Sequence, residues 1–316
     1  MRERPSEAQV IRWFDELSNW GRWGQDDQLG TLNLIAPDKR RQAGGLIREG
    51  LTVSCGRTIT YDQAADVNDP PKHFMLRAGV VPPPEGSYGR TSLGDHFSFT
   101  PHGITITHLD APSHSVWRSH PDRPRTMYNG HPDSAVTLQG AERGSIELAG
   151  DGILTRGVLL DIPGLHGLEW LEPGTPIFPE DLGAAERRQG VRVEPGDALV
   201  VRTGHLARRN RHGPYVPTEA RPGLQAACLP WLRERDVALL VSDSAQDVGP
   251  IDYPKLGYPI HGVGMVALGL WLLDNADTEG LLATCRRLER WEFAFSVAPL
   301  KWQRGTASPV NPLALF

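Results

Sequence analysis

Thr107-His108-Leu109-Asp110-Ala111-Pro112-Ser113-His114 is the stretch on which the reading of this chain turns. His108 and Asp110 stand two apart, so on an extended backbone both side chains point to one face. Pro112 then fixes φ and removes a backbone donor, which ends a strand and bends the chain. The bend carries His114 back toward the same side. Imidazole and carboxylate are the donors that a catalytic divalent cation takes, with a position left open for water. Thr105 and Thr107 precede them and offer hydroxyls that can support the ligands. Spacing alone leaves ordinary packed or surface histidines as the alternative.

Around this stretch, elements of both kinds alternate. Glu7 to Trp20 carries apolar residues at helical spacing, with Ser6 as N-cap. Trp23 to Gly30 is a Gly- and Asp-rich loop, and Pro37 to Ile47 reads as a short helix opened by its proline. Strands are expected at Leu51–Ile59, Gly157–Ile162, Ala198–Arg202 and Val237–Ser242, and helices at Pro179–Arg187, Gln225–Glu234 and Val263–Asn275. This order predicts an α/β fold, a single compact domain over 1–316 with a mixed β-sheet flanked by helices. Asn68 to Gly94, crowded with Pro and Gly, reads as a long irregular segment placed to close over a substrate.

Composition narrows the function classes. The 316 residues carry a formal net charge of −5, and the arginines are scattered among acids, so nucleic acid is not an expected partner. Apolar runs fall well short of a membrane span. Cys55, Cys228 and Cys285 form no CxxC pair and no disulfide framework. Met1-Arg2-Glu3-Arg4-Pro5 is charged and no apolar stretch follows it, unlike a secretory leader, so a cytoplasmic location is expected. No GxSxG elbow or phosphate-binding glycine loop is present.

THLDAPSH (107–114) resembles the THxDAPxH core of the cyclase/kynurenine formamidase-like family of metal-dependent hydrolases. Further blocks are similar in collinear order: WGQDDQLGTLNLI (23–35), MYNG (127–130), RGVLLDIP (156–163), PGDALVVRTGH (195–205), LLVSDSAQDVGP (239–250), PIHGVGMVALGLWLLDNAD (259–277) and RWEFAFSVAPL (290–300) with GTASPVNPLA (305–314). The resemblance implies a zinc or manganese ion, a small-molecule substrate and a homo-oligomer; that the substrate is cyclic or aromatic is an expectation from the length and position of the 68–94 segment. It implies hydrolysis of an amide, lactam or related acyl bond by metal-activated water. His108, Asp110, His261 and Asp274 match metal ligands, His114 the general acid/base, and Trp23 a substrate-lining aromatic.

Two positions depart from the family pattern. Ile104 stands where that pattern places a histidine ligand four residues before His108, so one metal rather than two is expected. Asp274 stands where Glu is common. His102, six residues before His108, lies roughly 20 Å away on a regular strand. It can serve as a ligand only if the backbone folds back, and otherwise it is read, with Trp23 and Asp243, as substrate-binding. Asp243 follows an apolar run, at a strand end where α/β sites form; a turn residue is the competing reading. Gln246 and His205 are weaker candidates. The same site could run a cyclisation or dehydration, and Ile104 motivates a third reading, a small-molecule binder whose metal site has decayed.

Overall fold

The computed structural model describes residues 2–67, 69–79, 84–86, 92–118, 122, 124–216 and 220–316. Its frame is a nine-stranded mixed sheet: β1 (Thr52–Ser54), β2 (His108–Asp110), β3 (Ile153–Asp161), β4 (Ala198–Arg202), β5 (Leu239–Ser242), β6 (Trp271–Asp274), β7 (Glu292–Val297), β8 (Ala307–Pro309) and β9 (Leu313–Leu315). The spatial order is β1-β9-β7-β3-β4-β5-β6-β2-β8. The central strands β3, β4, β5 and β6 run parallel, and antiparallel strands extend the sheet on both sides.

Strands covered on both faces run apolar on both, and β4 and β5 show it up to their last residues, Arg202 and Ser242: Leu199, Val201 and Leu240 face one core while Ala198, Val200, Leu239 and Val241 face the other. The first core is closed by α1 (Glu7–Glu16), α3 (Pro179–Gln189) and α5 (Cys228–Glu234), the second by α6 (Glu279–Leu288) and the C-terminal Phe316. α2 (Pro37–Gly44) opens on its proline, and α4 (His205–His212) follows β4. Ser6 caps α1 by accepting from the Gln9 N–H at 3.2 Å. Among the described residues no helix is long and apolar enough to cross a membrane.

Three expectations need correction. Val263–Asn275 is not one helix: a π-helix covers Ile260–Ala267, and Trp271–Asp274 is β6. A continuous apolar run has no periodicity to separate helix from buried strand, and Gly269, at φ +68°, makes the break between them. Asn68–Gly94 is also more regular than expected, because Lys72–Arg77 pairs antiparallel with Gly94–Ser98; its residues 68, 80–83 and 87–91 lie outside the described ones. Leu51–Ile59 contributes only the three residues of β1.

At Gly269 a Cβ would lie 2.5 Å from the Tyr128 ring, whereas at Gly50, with φ +65°, it would meet nothing within 4 Å. Gly269→Ala is therefore expected to cost about 2–4 kcal/mol in denaturant unfolding and Gly50→Ala about 1 kcal/mol, since only the first adds overpacking to backbone strain.

Candidate metal centre

β2 is three residues long and lies antiparallel between β6 and β8, so His108 pairs with Asp274 and Asp110 with Leu272 on one side and Ala307 on the other. At the strand end the Ala111 N–H donates to Thr306 O at 3.0 Å, and Pro112–His114 forms a single 3-10 turn. That turn stacks the His114 ring on His102, centroids 3.9 Å apart. His102 is within reach because the backbone folds back between Pro101 and Thr107, with Gly103 at φ +148°. The centroids of His102 and His108 are 5.7 Å apart.

Hydrogen-bonding fixes which ring edges face Asp110. His108 Nδ1 donates to Ile106 O at 2.8 Å, so in the neutral ring Nε2 carries the lone pair, and it faces Asp110 Oδ1 at 3.5 Å. His102 Nε2 meets Thr306 Oγ1 at 3.0 Å, leaving Nδ1 toward Asp110 Oδ1 at 2.9 Å but out of line for a hydrogen bond. Both Asp110 oxygens are buried with no hydrogen-bond partner. His102, His108 and Asp110 thus bring one donor atom each within 4.8 Å of one another, and so do Asp110, His114 and His261. Burial would raise the Asp110 pKa, yet His108, His114 and His102 outweigh it and hold the carboxyl well below the usual range. His114 goes the other way: burial, helped by the neighbouring histidines against Asp110, pushes it down to about 4, so it is neutral at pH 7 and can accept a proton.

His261, in the first turn of the π-helix, is held by two carboxylates. Its Nδ1 meets Asp247 Oδ2 at 2.6 Å and its Nε2 lies 3.6 Å from Asp274 Oδ2. Burial would lower its pKa, but the bonds to Asp247 and Asp274 prevail and raise it well above the ordinary value. Asp247 also accepts from the Ile260 and His261 backbone N–H groups, so it anchors the helix start and the ring together. Asp274 spends its other oxygen on Gln246 Nε2 at 2.8 Å. A cavity of about 240 Å³, bounded by Asp66, Asp69, Thr100 and His102 among others, adjoins the cluster.

The remaining candidates lie elsewhere. Asp243 is fully buried, and its carboxylate accepts from Thr203 N and Oγ1, Gly204 N and Thr278 Oγ1; it ties the start of α4 to the loop after β6 and offers no lone pair to a substrate. The turn reading is the one its contacts support. Trp23 is partly buried, with the Arg22 guanidinium 4.7 Å from its ring centroid. Thr107 Oγ1 accepts from Arg57 N–H and donates to Asn275 O, bracing the backbone rather than a ligand. Thr306, Asp247 and Asn275 were not singled out from sequence. They lie between 14 and 204 residues from the groups they hold, and no local pattern marks them.

His205 is buried at the start of α4, its Nδ1 3.0 Å from Tyr215 Oη. Burial, and then the Arg57 charge, lower its pKa from 6.5 to about 4. The fold holds this ring unprotonated while the unfolded chain protonates it at 6.5. Its contribution is therefore complete above pH 6.5 and is lost as pH falls toward 4, on the order of 3 kcal/mol. Urea unfolding at pH 7, 5.5 and 4 should show a shallower loss in His205→Gln than in wild type.

The family described as "Putative cyclase" matches residues 43–246. A solved structure described as a novel cyclase is 29% identical with a TM-score of 0.84, the match covering 96% of this chain and 99% of that one. Isatin hydrolase A from Labrenzia aggregata, bound to benzyl benzoate, is 20% identical with a TM-score of 0.57, over 86% of this chain and 94% of its own. Isatin hydrolase A from Ralstonia solanacearum is 21% identical, also with a TM-score of 0.57, over 87% and 95%. At these identities the isatin hydrolases share the fold. No curated protein matches the sequence.

Proposed function

This chain belongs to the Putative cyclase family, and from that premise we propose that it is a metal-dependent hydrolase of a small cyclic or aromatic amide, lactam or related acyl compound. The observation that carries the reading is the Asp110 carboxylate, buried, ionised, and faced by the imidazole nitrogens of His102 and His108 at 2.9 and 3.5 Å. Buried charges that persist are paired or coordinate a metal. His102, His108 and Asp110 would hold the ion, zinc or manganese by the chemistry of the donors. A bound divalent cation supplies a Lewis acid and lowers the pKa of its water toward neutrality.

The protein's own groups supply the rest. Thr306 and Ile106 O orient the two imidazoles. His114, neutral and stacked on His102, is placed to take a proton from an attacking water and return it to the departing nitrogen or oxygen. His261, with Asp247 and Asp274 behind it, keeps a proton and presents positive charge beside Asp110, where negative charge on a substrate carbonyl oxygen can be met. That assignment makes Asp274 a support of His261 rather than a ligand. The return of His102 to the rings of His108 and His114 favours this reading over a decayed site. As partner we propose a second copy of the chain, seated on the exposed hairpin that carries Phe74, Leu76 and Phe97. Its expected signature is a mass by light scattering above the 34.8 kDa of one chain.

The test is elemental analysis and turnover on the same preparations. Wild type is expected to hold near one zinc or manganese per chain, and His102→Ala, His108→Ala and Asp110→Ala are expected to lose it. His114→Ala should keep the metal while kcat on a responsive amide, lactam or lactone falls by about 10²–10⁴. A wild type that takes up neither ion sinks the reading, and a His114→Ala enzyme of full activity removes His114 from it.

A further inference from the structure

Resting on that reading, we propose that Arg57 and Asn275 are positioning residues for the metal centre: they clamp the returning segment 103–107 and thereby set where His102 lies and which nitrogen of His108 is free. Neither contacts Asp110 in a hydrogen bond, and neither belongs to the donor groups. Arg57 follows β1 and Asn275 follows β6, so the clamp joins two strands from distant parts of the chain.

Three carbonyls of the returning segment are held by these two side chains. Asn275 Nδ2 donates to Gly103 O at 2.9 Å and to Ile106 O at 3.1 Å. Arg57 Nη1 donates to Ile104 O at 3.3 Å, and its Nη2 is fixed on Asp243 O at 2.6 Å. The backbones are tied as well: the Arg57 N–H donates to Thr107 Oγ1 at 2.9 Å, and that hydroxyl donates to Asn275 O at 2.6 Å. Asn275 is buried and holds φ +59°, a conformation Asn and Asp tolerate better than other side chains.

Ile106 O is where the clamp meets the site, because it accepts from Asn275 Nδ2 and from His108 Nδ1. Its position gives His108 a fixed acceptor, and that bond turns the Nε2 lone pair to Asp110. Gly103 O, held by the same amide, is one residue from His102, whose ring must reach Asp110 across a fold-back that a regular strand would not make. Hydrogen-bond partners behind metal ligands commonly carry a 10–100-fold share of metal affinity.

The experiment measures dissociation constants for Mn²⁺ and Zn²⁺ on the full chain stripped of metal, for wild type, Asn275→Asp and Arg57→Lys. Asn275→Asp tolerates the left-handed backbone but sets a carboxylate against two carbonyls. Arg57→Lys keeps the charge and loses the fork that reaches Ile104 and Asp243 together. Leu232→Ala, in the core away from the segment, serves as a variant destabilised without touching the clamp. The expected result is a roughly 10–100-fold weaker affinity in both clamp variants and wild-type affinity in Leu232→Ala. Affinities within twofold of wild type in the clamp variants overturn the proposal, as does an equal loss in Leu232→Ala, which would make the effect one of general stability. Should Asn275→Asp not fold, Arg57→Lys against the same control decides. A wild type that binds neither ion overturns the underlying reading, and this inference with it, so the two failures are told apart.

Discussion

A carboxylate buried without a donor is the constraint around which the site is arranged. An ionised group out of water costs several kcal/mol unless something of opposite charge meets it, and among the described residues the groups that act on Asp110 are histidines. What faces it are imidazole nitrogens, His108 Nε2 and His102 Nδ1, because Ile106 O and Thr306 Oγ1 take up the opposite edges of the two rings. Two kinds of positive charge can fill the gap, a divalent cation or protons on the histidines, and they compete. Metal affinity in such a site falls with acidity for that reason.

The sheet explains how so short a strand can hold so demanding a group. β2 has three residues and could not keep its place alone, but it is hydrogen-bonded on both edges, to β6 and to β8. β6 in turn belongs to the parallel block packed on both faces by apolar side chains. The rigidity of that block is passed sideways by one ladder to the strand with the chemistry. The C-terminal region completes it, since Thr306 supplies both a carbonyl for Ala111 and a hydroxyl for His102.

What sequence could show was whatever is local. The two-residue spacing of His108 and Asp110, the stop at Pro112 and the return of His114 are consequences of backbone geometry, and the structure contains all three. The central strands and the helices Pro37–Gly44 and Pro179–Gln189 were legible for the same reason, although several ends moved by a few residues. The helix expected across Val263–Asn275 failed because a run buried on every side has no polar face to set its period. His102 was legible as a residue and not as a position: its place beside Asp110 depends on a fold-back held by Arg57 and Asn275, which follow β1 and β6 and which no spacing rule relates to it. Asp243 shows the converse, a residue in a suggestive place whose oxygens are all spent on the turn it anchors.

On the proposed reading, the number of ions the cluster would hold follows from the use of its donor atoms. Asp110 stands in both donor groups, with His102 and His108 on one side and with His114 and His261 on the other. A second cation on the latter side would need the lone pair of His114, and the imidazole that burial keeps neutral would then have nothing left to accept a proton with. It would also have to displace the proton that Asp247 and Asp274 hold on His261. On that reading, the two carboxylates behind His261 would give its half of the cluster different work from the half that holds the ion. One cation and one base would therefore fit the cluster together, whereas two cations would leave it without a base.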